Sequence, residues 1–194
     1  MDVPPQRADA AQLADAVRRP RALPLRQQPI LLPTAADTRA LGRDLASQLR
    51  AGDLVILTGE LGAGKTTLVQ GVGEGLKVRE PVTSPTFVIA RHHPSLVGGP
   101  GLLHVDAYRL EGLEQLDDLD LDAELEDSVT VVEWGAGIAE RLASDRLEVR
   151  LERVRGMGMA ELAGPAEAGT GDERRAWVDG IGQRWRDTAK GGVG

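Results

Sequence analysis

The chain of 194 residues is 41% hydrophobic and 3% aromatic, which suffices for one core of aliphatic side chains but not for a second full domain. Because it contains no cysteine, disulfides, thiolate metal sites and cysteine nucleophiles are excluded. The net charge of −7 argues against a broad nucleic-acid surface. No run approaches the roughly 20 apolar residues of a membrane helix, and the start lacks the apolar stretch of a secretory signal, so we expect a cytoplasmic protein without membrane association.

Composition divides the chain into four parts. Residues 1–30 are rich in Pro, Ala, Arg and Gln, which predicts a disordered or weakly structured extension. Residues 31–155 carry alternating strand and helix patterns and are expected to form the folded domain. Residues 156–173 are Gly-rich and are interpreted as a loop, and residues 174–194 as a C-terminal segment with a last strand and a flexible tail.

The first half of the folded domain is predicted to be helix, strand and helix. Leucines recur every four residues over Thr38–Arg50, which predicts an amphipathic helix capped by Asp37 or Thr38. Leu54–Leu57 is a short apolar run typical of a strand that is buried on both faces. A glycine-rich loop follows, and a second helix is expected over residues 65–75.

Further strands are predicted downstream. They are expected at Thr86–Ile89, Leu102–Val105, Val129–Val132 and, as a half-exposed strand near a sheet edge, Arg146–Leu151. The last strands are placed at Arg174–Trp177 and Gly182–Trp185. Because strands alternate with helix-compatible stretches, the fold class is predicted to be α/β, with helices on both faces of the sheet.

The loop after the first apolar strand carries the pattern G-x-x-x-x-G-K-S/T. It runs Gly59-Glu60-Leu61-Gly62-Ala63-Gly64-Lys65-Thr66. In this context backbone N–H groups converge on a phosphate at a helix N-terminus, and the lysine supplies a compact positive charge to the β- and γ-phosphates. The Thr66 hydroxyl is expected to bind Mg²⁺, and Thr67 to reach the α-phosphate side. Since the guanine-reading motif N/T-K-x-D is absent, we predict ATP with Mg²⁺ in a single P-loop NTPase-like domain.

Two acids follow predicted strands. Asp106 closes the strand that begins at Leu102, and Glu133 closes the one that begins at Val129, so both are expected at the carboxyl edge of the sheet. A P-loop site needs one acid to hold Mg²⁺ and another group to orient the attacking water, and the strand positions leave open which acid does which. The nine acids between residues 110 and 127 are interpreted as a solvated helix face instead.

With these residues the chain resembles the bacterial TsaE family, the ATPases of tRNA threonylcarbamoyladenosine biosynthesis. Beyond the shared loop GELGAGKTT, it carries SPTF at Ser84–Phe87, HVDAYRL at His104–Leu110 and VEW at Val132–Trp134, in the family's order and spacing, over residues 31–150. The resemblance implies that Thr86 and Ser84 lie in a switch-type loop facing the nucleotide. It also implies that Glu133 is the magnesium-associated residue and Asp106 a catalytically important one. Trp134 is expected to border the nucleotide or a partner, with core packing as the alternative.

The resemblance also implies a function. The protein would bind and hydrolyse ATP for the complex of TsaD and TsaB, which installs threonylcarbamoyl on adenosine 37 of tRNAs reading ANN codons, and would meet tRNA through that complex. Such an ATPase is expected to be slow alone and stimulated by its partners. The site has no obvious arginine finger of its own, because Arg109 suits an ion pair with the acidic stretch better.

Two other functions remain open from the residues. A small-molecule kinase uses the same loop and would need lid arginines, for which Arg150, Arg153 and Arg155 are candidates. A nucleotide-dependent interaction module would use hydrolysis only as a timer. The histidines 92, 93 and 104 are interpreted as ordinary loop and core residues, because no His pair at i, i+4 and no cysteine supports a metal site.

Overall fold

Seven strands form one mixed sheet in this computed structural model, which describes residues 28–86, 88–109, 122–154 and 173–190, with the backbone alone at 122–124 and 187–190. In chain order the strands are β1 (Ile30–Leu32), β2 (Leu54–Thr58), β3 (Ala90–His93), β4 (Gly101–Asp106), β5 (Ser128–Glu133), β6 (Arg146–Arg153) and β7 (Arg174–Ile181). Across the sheet their order is β1-β7-β6-β2-β5-β4-β3.

The four central strands run parallel. β2 pairs with both β5 and β6, and β4 pairs with β5, whereas the outer strands β1, β3 and β7 are antiparallel to their neighbours. Parallel strands share their carboxyl edge, which is where α/β sheets bind ligands. The register places Asp106 of β4 directly beside Glu133 of β5 at that edge.

Helices cover both faces of the sheet, as predicted for this α/β fold. They are α1 (Ala35–Ala46), α2 (Lys65–Leu76), α3 (Asp122–Asp127) and α4 (Gln183–Lys190), with single 3-10 turns at Ala107–Arg109 and Ala139–Arg141. On one face α1 and α2 pack together with Trp185 of α4. On the other, Leu125 of α3 and the segment 138–143 cover the central strands. None of the helices in the described part of the chain combines the length and the apolar character that crossing a membrane requires.

The first helix was predicted in the right region but with the wrong ends. Its cap is Thr34, whose hydroxyl accepts from the Asp37 N–H at 3.2 Å, while the Asp37 carboxylate accepts from the Thr34 N–H at 3.0 Å. This capping box starts the helix at Ala35. The helix ends at Ala46, and Leu49 continues the leucine pattern as a buried residue of the following turn. The leucine periodicity therefore predicted the buried face of α1, whereas the capping box determines where the helix begins.

The strand predicted at Thr86–Ile89 is wrong. The N–H groups of Val88 and Ile89 both donate to the Pro85 carbonyl, at 2.8 and 2.7 Å, and Ile89 has a φ of 68°. Turn geometry after a proline thus outweighs the β-branched composition of this stretch. The strand that follows, β3, begins at Ala90.

Two predictions at the other side of the sheet also need correction. β6 alternates buried and less buried residues as expected, but it lies between β7 and β2 rather than near an edge. Its alternation arises because Leu147, Val149 and Leu151 face the core. The strand at Gly182–Trp185 is wrong, since Gly182 at φ 94° ends β7 and helix α4 follows.

Other predicted elements are confirmed within a residue or two, namely β2, α2, β4, β5 and a strand from Arg174. That last strand, β7, pairs with β6 on one side and with β1 on the other, so the C-terminal segment belongs to the main sheet. Most of the predicted N-terminal extension, the Gly-rich loop and the acidic stretch up to residue 121 lie outside the described residues.

Candidate nucleotide-binding site

The glycine loop joins β2 to α2 and holds its own lysine. Gly64 has a φ of 100°, a left-handed conformation that glycine adopts without strain, and it forms the N-cap of α2. The Lys65 ammonium donates to the carbonyls of Gly59 and Glu60 at 2.9 and 3.1 Å. It also lies 3.8 Å from the centroid of the Trp134 ring, a cation–π geometry. The lysine is thereby fixed at the floor of the loop.

Burial lowers the pKa of this lysine. Lys65 is only 4% exposed, and this desolvation lowers its pKa from the ordinary value of 10.5. The nearby carboxylates of Glu133 and Asp106 favour the charged form and oppose that shift. The site therefore contains a cation whose charge is costly to keep and which an anionic ligand would stabilise.

Glu133 is held from two sides through one oxygen. The Thr66 hydroxyl donates to its Oε1 at 2.8 Å, which ties the end of β5 to the first turn of α2. His104 Nε2 lies 2.9 Å from the same Oε1. Glu133 and His104 are both buried, so this contact is shielded from solvent. The carboxylate that the sequence singled out is thus adjacent to the predicted magnesium-binding hydroxyl.

Asp106 takes its contacts from the SPTF segment and from its own turn. The Thr86 hydroxyl donates to Oδ2 at 2.5 Å, and the Ser84 hydroxyl lies 2.6 Å from that of Thr86. The backbone N–H of Tyr108 donates to Oδ1 at 3.0 Å. The structure therefore brings the predicted switch-type loop against the predicted catalytic acid.

Trp134 stands at the mouth of the site in a strained conformation. Its φ is 62°, which is uncommon for a bulky residue, and its N–H donates to the Leu57 carbonyl of β2 at 3.0 Å. The ring is half-buried and tilted against Tyr108, with centroids 5.2 Å apart. Trp134 thus lies at the site and over the lysine rather than in the core.

These groups surround one cleft of about 350 Å³ at the carboxyl edge of the sheet. It is lined by Leu61, Gly62, Gly64, Lys65, Thr66, Thr67, Ser84, Thr86, Asp106, Tyr108, Glu133, Trp134 and Arg174. Of the predicted loop residues, Gly59, Glu60 and Ala63 do not line it. The first two contribute the carbonyls that hold Lys65, and Ala63 is buried.

Sequence reasoning missed two lining residues, Tyr108, which lies inside the quoted HVDAYRL motif, and Arg174, which lies far from every motif. A Cβ built on Gly64 would lie 2.9 Å from the Nε of Arg174, so the guanidinium group covers the last glycine of the loop. The strand prediction from Arg174 onward was right, but nothing local in the sequence shows that β7 starts beside the glycine loop. Only the sheet order reveals this contact, because β7 lies two strands from β2.

Comparison with known proteins assigns the chain to a family. The family model "Threonylcarbamoyl adenosine biosynthesis protein TsaE" matches residues 32–158. The chain belongs to the TsaE family. A Streptomyces coelicolor protein named tRNA threonylcarbamoyladenosine biosynthesis protein TsaE is 60% identical over 149 residues, which cover 76% of this chain and 93% of that protein. The Bacillus subtilis protein of the same name is 38% identical over 119 residues, 61% of this chain and 73% of that protein.

A solved structure agrees with this assignment. The crystal structure of Bacillus subtilis YdiB superposes with a TM-score of 0.60 at 28% sequence identity, and covers 86% of this chain and 93% of that one. The TsaE resemblance and the P-loop-like α/β fold expected from the sequence are therefore both confirmed.

The oxygen atoms of this TsaE-family cleft suit a magnesium ion. Thr66, Glu133 and Asp106 offer a hydroxyl and two carboxylates, and these hard oxygen ligands lie around one opening. Among the described residues there is no cluster of three or more His, Asp or Glu side chains that could hold a metal alone. This small set of one hydroxyl and two carboxylates fits Mg²⁺, which usually takes few protein ligands and completes its coordination shell with phosphate and water.

Other charged candidates lie elsewhere. Arg109 is in the turn after β4 but does not line the cleft. Arg150 and Arg153 line a separate cleft of about 420 Å³ on the far side of the glycine loop, where the Arg150 guanidinium stacks 3.8 Å over Trp177. Arg155 lies outside the described residues. His92 lies 3.2 Å from the Ser128 hydroxyl, and His93 is buried with a pKa lowered mainly by desolvation, as expected of structural histidines.

Proposed function

We propose that this protein binds ATP with Mg²⁺ in the cleft and hydrolyses it in support of tRNA N6-threonylcarbamoyladenosine formation. The proposal rests on one observation above all: Lys65, Thr66, Asp106 and Glu133 converge on one cleft beside the glycine loop. The TsaE name of the relatives supplies the pathway. The protein would act in the cytoplasm with TsaD and TsaB, and would meet tRNA through that complex.

Each group has a role that its position supports. Lys65 exchanges its two loop carbonyls for the β- and γ-phosphate oxygens, and backbone N–H groups from Gly62 to Thr67 surround the β-phosphate. Thr66 and Glu133, already in contact, hold Mg²⁺, with Asp106 beside them. When bound, Mg²⁺ neutralises the charge that develops on the β- and γ-phosphates. Asp106 with Thr86 orients the attacking water.

Arg174 contributes to ground-state binding in this proposal. It approaches the loop from the β7 side, whereas Asp106 and Glu133 approach from the β4 and β5 side. We therefore assign its guanidinium to the α- and β-phosphates, which remain after hydrolysis, rather than to the departing γ-phosphate. Trp134, half-buried over Lys65, covers the phosphates from the other side.

The resting contacts support the proposal that turnover is slow without partners. Lys65 is bound by its own loop, and both oxygens of Asp106 accept hydrogen bonds, from Thr86 and from the Tyr108 N–H. These groups must exchange partners before they act on substrate. Leu61 and Tyr108 line the cleft mouth and are 90% and 64% exposed, which offers partner proteins an apolar surface beside the reacting groups.

The deciding experiment measures threonylcarbamoyladenosine on tRNA over several turnovers of purified TsaD and TsaB, with and without this protein. We expect turnover to require the wild type and to be lost with Lys65→Ala or Glu133→Gln, while Glu126→Gln, an exposed acid far from the cleft, stays active. No effect of the wild-type protein would refute the role. ADP release that depends on a small-molecule acceptor instead of TsaD and TsaB would favour the kinase.

Nucleotide binding is tested separately. Arg174→Ala should weaken ATP and ADP to a similar degree, by roughly 10-fold or more, because a charge-assisted hydrogen bond to a shared phosphate is lost. Arg175→Ala is the matched control, since the next residue of the strand is exposed and points to the opposite face. Titration with a fluorescent nucleotide gives both dissociation constants, and equal loss in the two variants would remove Arg174 from the site.

A further inference from the structure

His104 makes a contact that its burial alone does not explain. Its side chain is 0% exposed in β4, and its Nε2 lies 2.9 Å from Glu133 Oε1. An ionised carboxylate only accepts hydrogen bonds, so Nε2 carries the proton and donates. We propose that His104 is a positioning residue that fixes the Glu133 carboxylate in the orientation that Mg²⁺ binding requires.

The two donors on Glu133 share one oxygen. Thr66 and His104 both contact Oε1, and among the described residues no hydrogen bond to Oε2 accompanies them. With a single hydroxyl as its anchor, the carboxylate could rotate about its last bond. Because Thr66 belongs to α2 and His104 to β4, the two donors fix Oε1 from two separate elements and leave Oε2 available to a cation. This is how outer partners commonly orient metal-binding carboxylates.

The rest of the imidazole indicates that the contact is functional. His104 Nδ1 is buried and has no hydrogen-bond partner within the described part of the chain. Burying an unsatisfied nitrogen costs stability, and an aliphatic side chain at this position would avoid that cost. The neighbouring inward-facing residue of β4, Leu102, is aliphatic. A histidine in such a place is accounted for by its bond to Glu133.

This inference rests on the proposed function, because it assumes that nucleotide binds with Mg²⁺ at Thr66 and Glu133. It goes beyond that function by assigning a role to a residue that would touch neither metal nor nucleotide. A purely structural histidine would affect folding alone. A positioning histidine must affect the part of nucleotide affinity that depends on Mg²⁺.

The test compares three variants of the full chain for fluorescent ADP binding, first in EDTA and then across a Mg²⁺ titration, with the melting temperature measured in parallel. His104→Leu keeps the approximate volume and removes the donor. His104→Gln places an amide N–H near the position of Nε2, and His104→Asn is too short to reach it.

We expect all variants to match the wild type in EDTA. The Mg²⁺ concentration for half-maximal binding should rise roughly 10- to 100-fold in His104→Leu and His104→Asn, and should recover largely in His104→Gln. A wild-type Mg²⁺ midpoint in His104→Leu, or an equal loss with and without Mg²⁺, would overturn the proposal. If His104→Leu does not fold, the contrast between Gln and Asn decides. If the wild type itself fails to bind ADP, the proposed function fails first.

Discussion

At the scale of single residues, the buried charge of Lys65 favours an anionic ligand. It keeps a positive charge in a site that is only 4% exposed, and desolvation lowers its pKa below the ordinary value of 10.5. In the resting structure two carbonyls, an indole ring and two carboxylates partly offset that cost. A polyphosphate would offset it further, so binding should raise the pKa of Lys65 again.

A pH dependence with a definite sign follows. Below the pKa of the free site, Lys65 is charged and ADP affinity is flat. Between the free and the bound pKa, binding must take up a proton, so affinity falls as the pH rises. Because desolvation lowers the pKa of Lys65 in the free site, this fall should begin below pH 10.5. Dissociation constants measured over a pH series check it.

Lys65→Arg is the control for that series, since a guanidinium stays charged throughout and should abolish the slope. Its own affinity for ADP is expected to be lower, because the fork of an arginine does not fit the space between the loop carbonyls and Trp134. A slope of equal steepness in the arginine variant would attribute the titration to another group.

At the scale of elements, α1 and α2 approach so closely that only glycine fits between them. A Cβ on Gly71 of α2 would lie 2.2 Å from the Arg39 carbonyl oxygen of α1, and one on Gly42 of α1 would lie 2.3 Å from the Leu68 carbonyl oxygen of α2. Both neighbours are backbone atoms, so no side-chain rotation relieves the clash. Arg43 and Glu74 add an exposed ion pair across the same seam.

Gly71→Ala should therefore reverse the usual sign of a glycine-to-alanine change. In an open helix this change stabilises by about 1 kcal/mol, whereas here we expect a net loss of about 1–3 kcal/mol from overpacking. Urea unfolding measures it, with the loop variant Gly99→Ala near zero as control. Since α2 starts at Lys65, ADP should also bind more weakly. A stabilised Gly71→Ala would show that the helices can separate freely.

Elements differ in how far the sequence determines them. β2, β4 and β5 are mainly apolar runs between breakers, and nearly every residue in them is buried, so local pattern and final environment agree. The stretch Thr86–Ile89 has strand composition, but Pro85 accepts two backbone bonds and turns it. Gly182–Trp185 was also misjudged, because a buried Trp185 and an exposed Arg186 fit a helix as well as a strand.

At the scale of the whole molecule, the strand order of the sheet determines which site residues could be predicted from the sequence. The loop and both acids were predictable, because each follows its own strand and parallel strands share an edge. The contact between His104 and Glu133 and the position of Arg174 depend on register and strand order. Both join residues far apart in the chain, and one sequence alone does not give those pairings.

The stability of the domain also depends on contacts between residues far apart in the chain, as the C-terminal helix α4 shows. Arg184 of α4 donates from Nε to Asp53 Oδ1 at 2.6 Å, and from Nη2 to Asp53 Oδ2 and the Gln48 carbonyl. Asp53 is buried next to β2, and Trp185 is 1% exposed beneath α1 and the sheet. We therefore propose that the folding unit extends from about residue 28 to residue 190, beyond the boundary at 155 expected from the sequence.

Truncation tests that boundary. Removing residues 1–27 should leave the melting temperature and ADP affinity unchanged, because the family match and the first strand start later, at residues 32 and 30.

Ending the chain at Gly182 should abolish cooperative unfolding. It exposes the Trp185 site and removes the Arg184 partner of buried Asp53, which among the described residues keeps only the Arg50 N–H at 2.9 Å and the Arg50 guanidinium at 3.9 Å. The lost charge-assisted bonds amount to about 1–3 kcal/mol, against a usual total stability of roughly 5–15 kcal/mol. Arg184→Ala should reproduce that ion-pair loss and Arg186→Ala, an exposed neighbour, should not. A shortened chain that still unfolds cooperatively would place the end of the domain at β7.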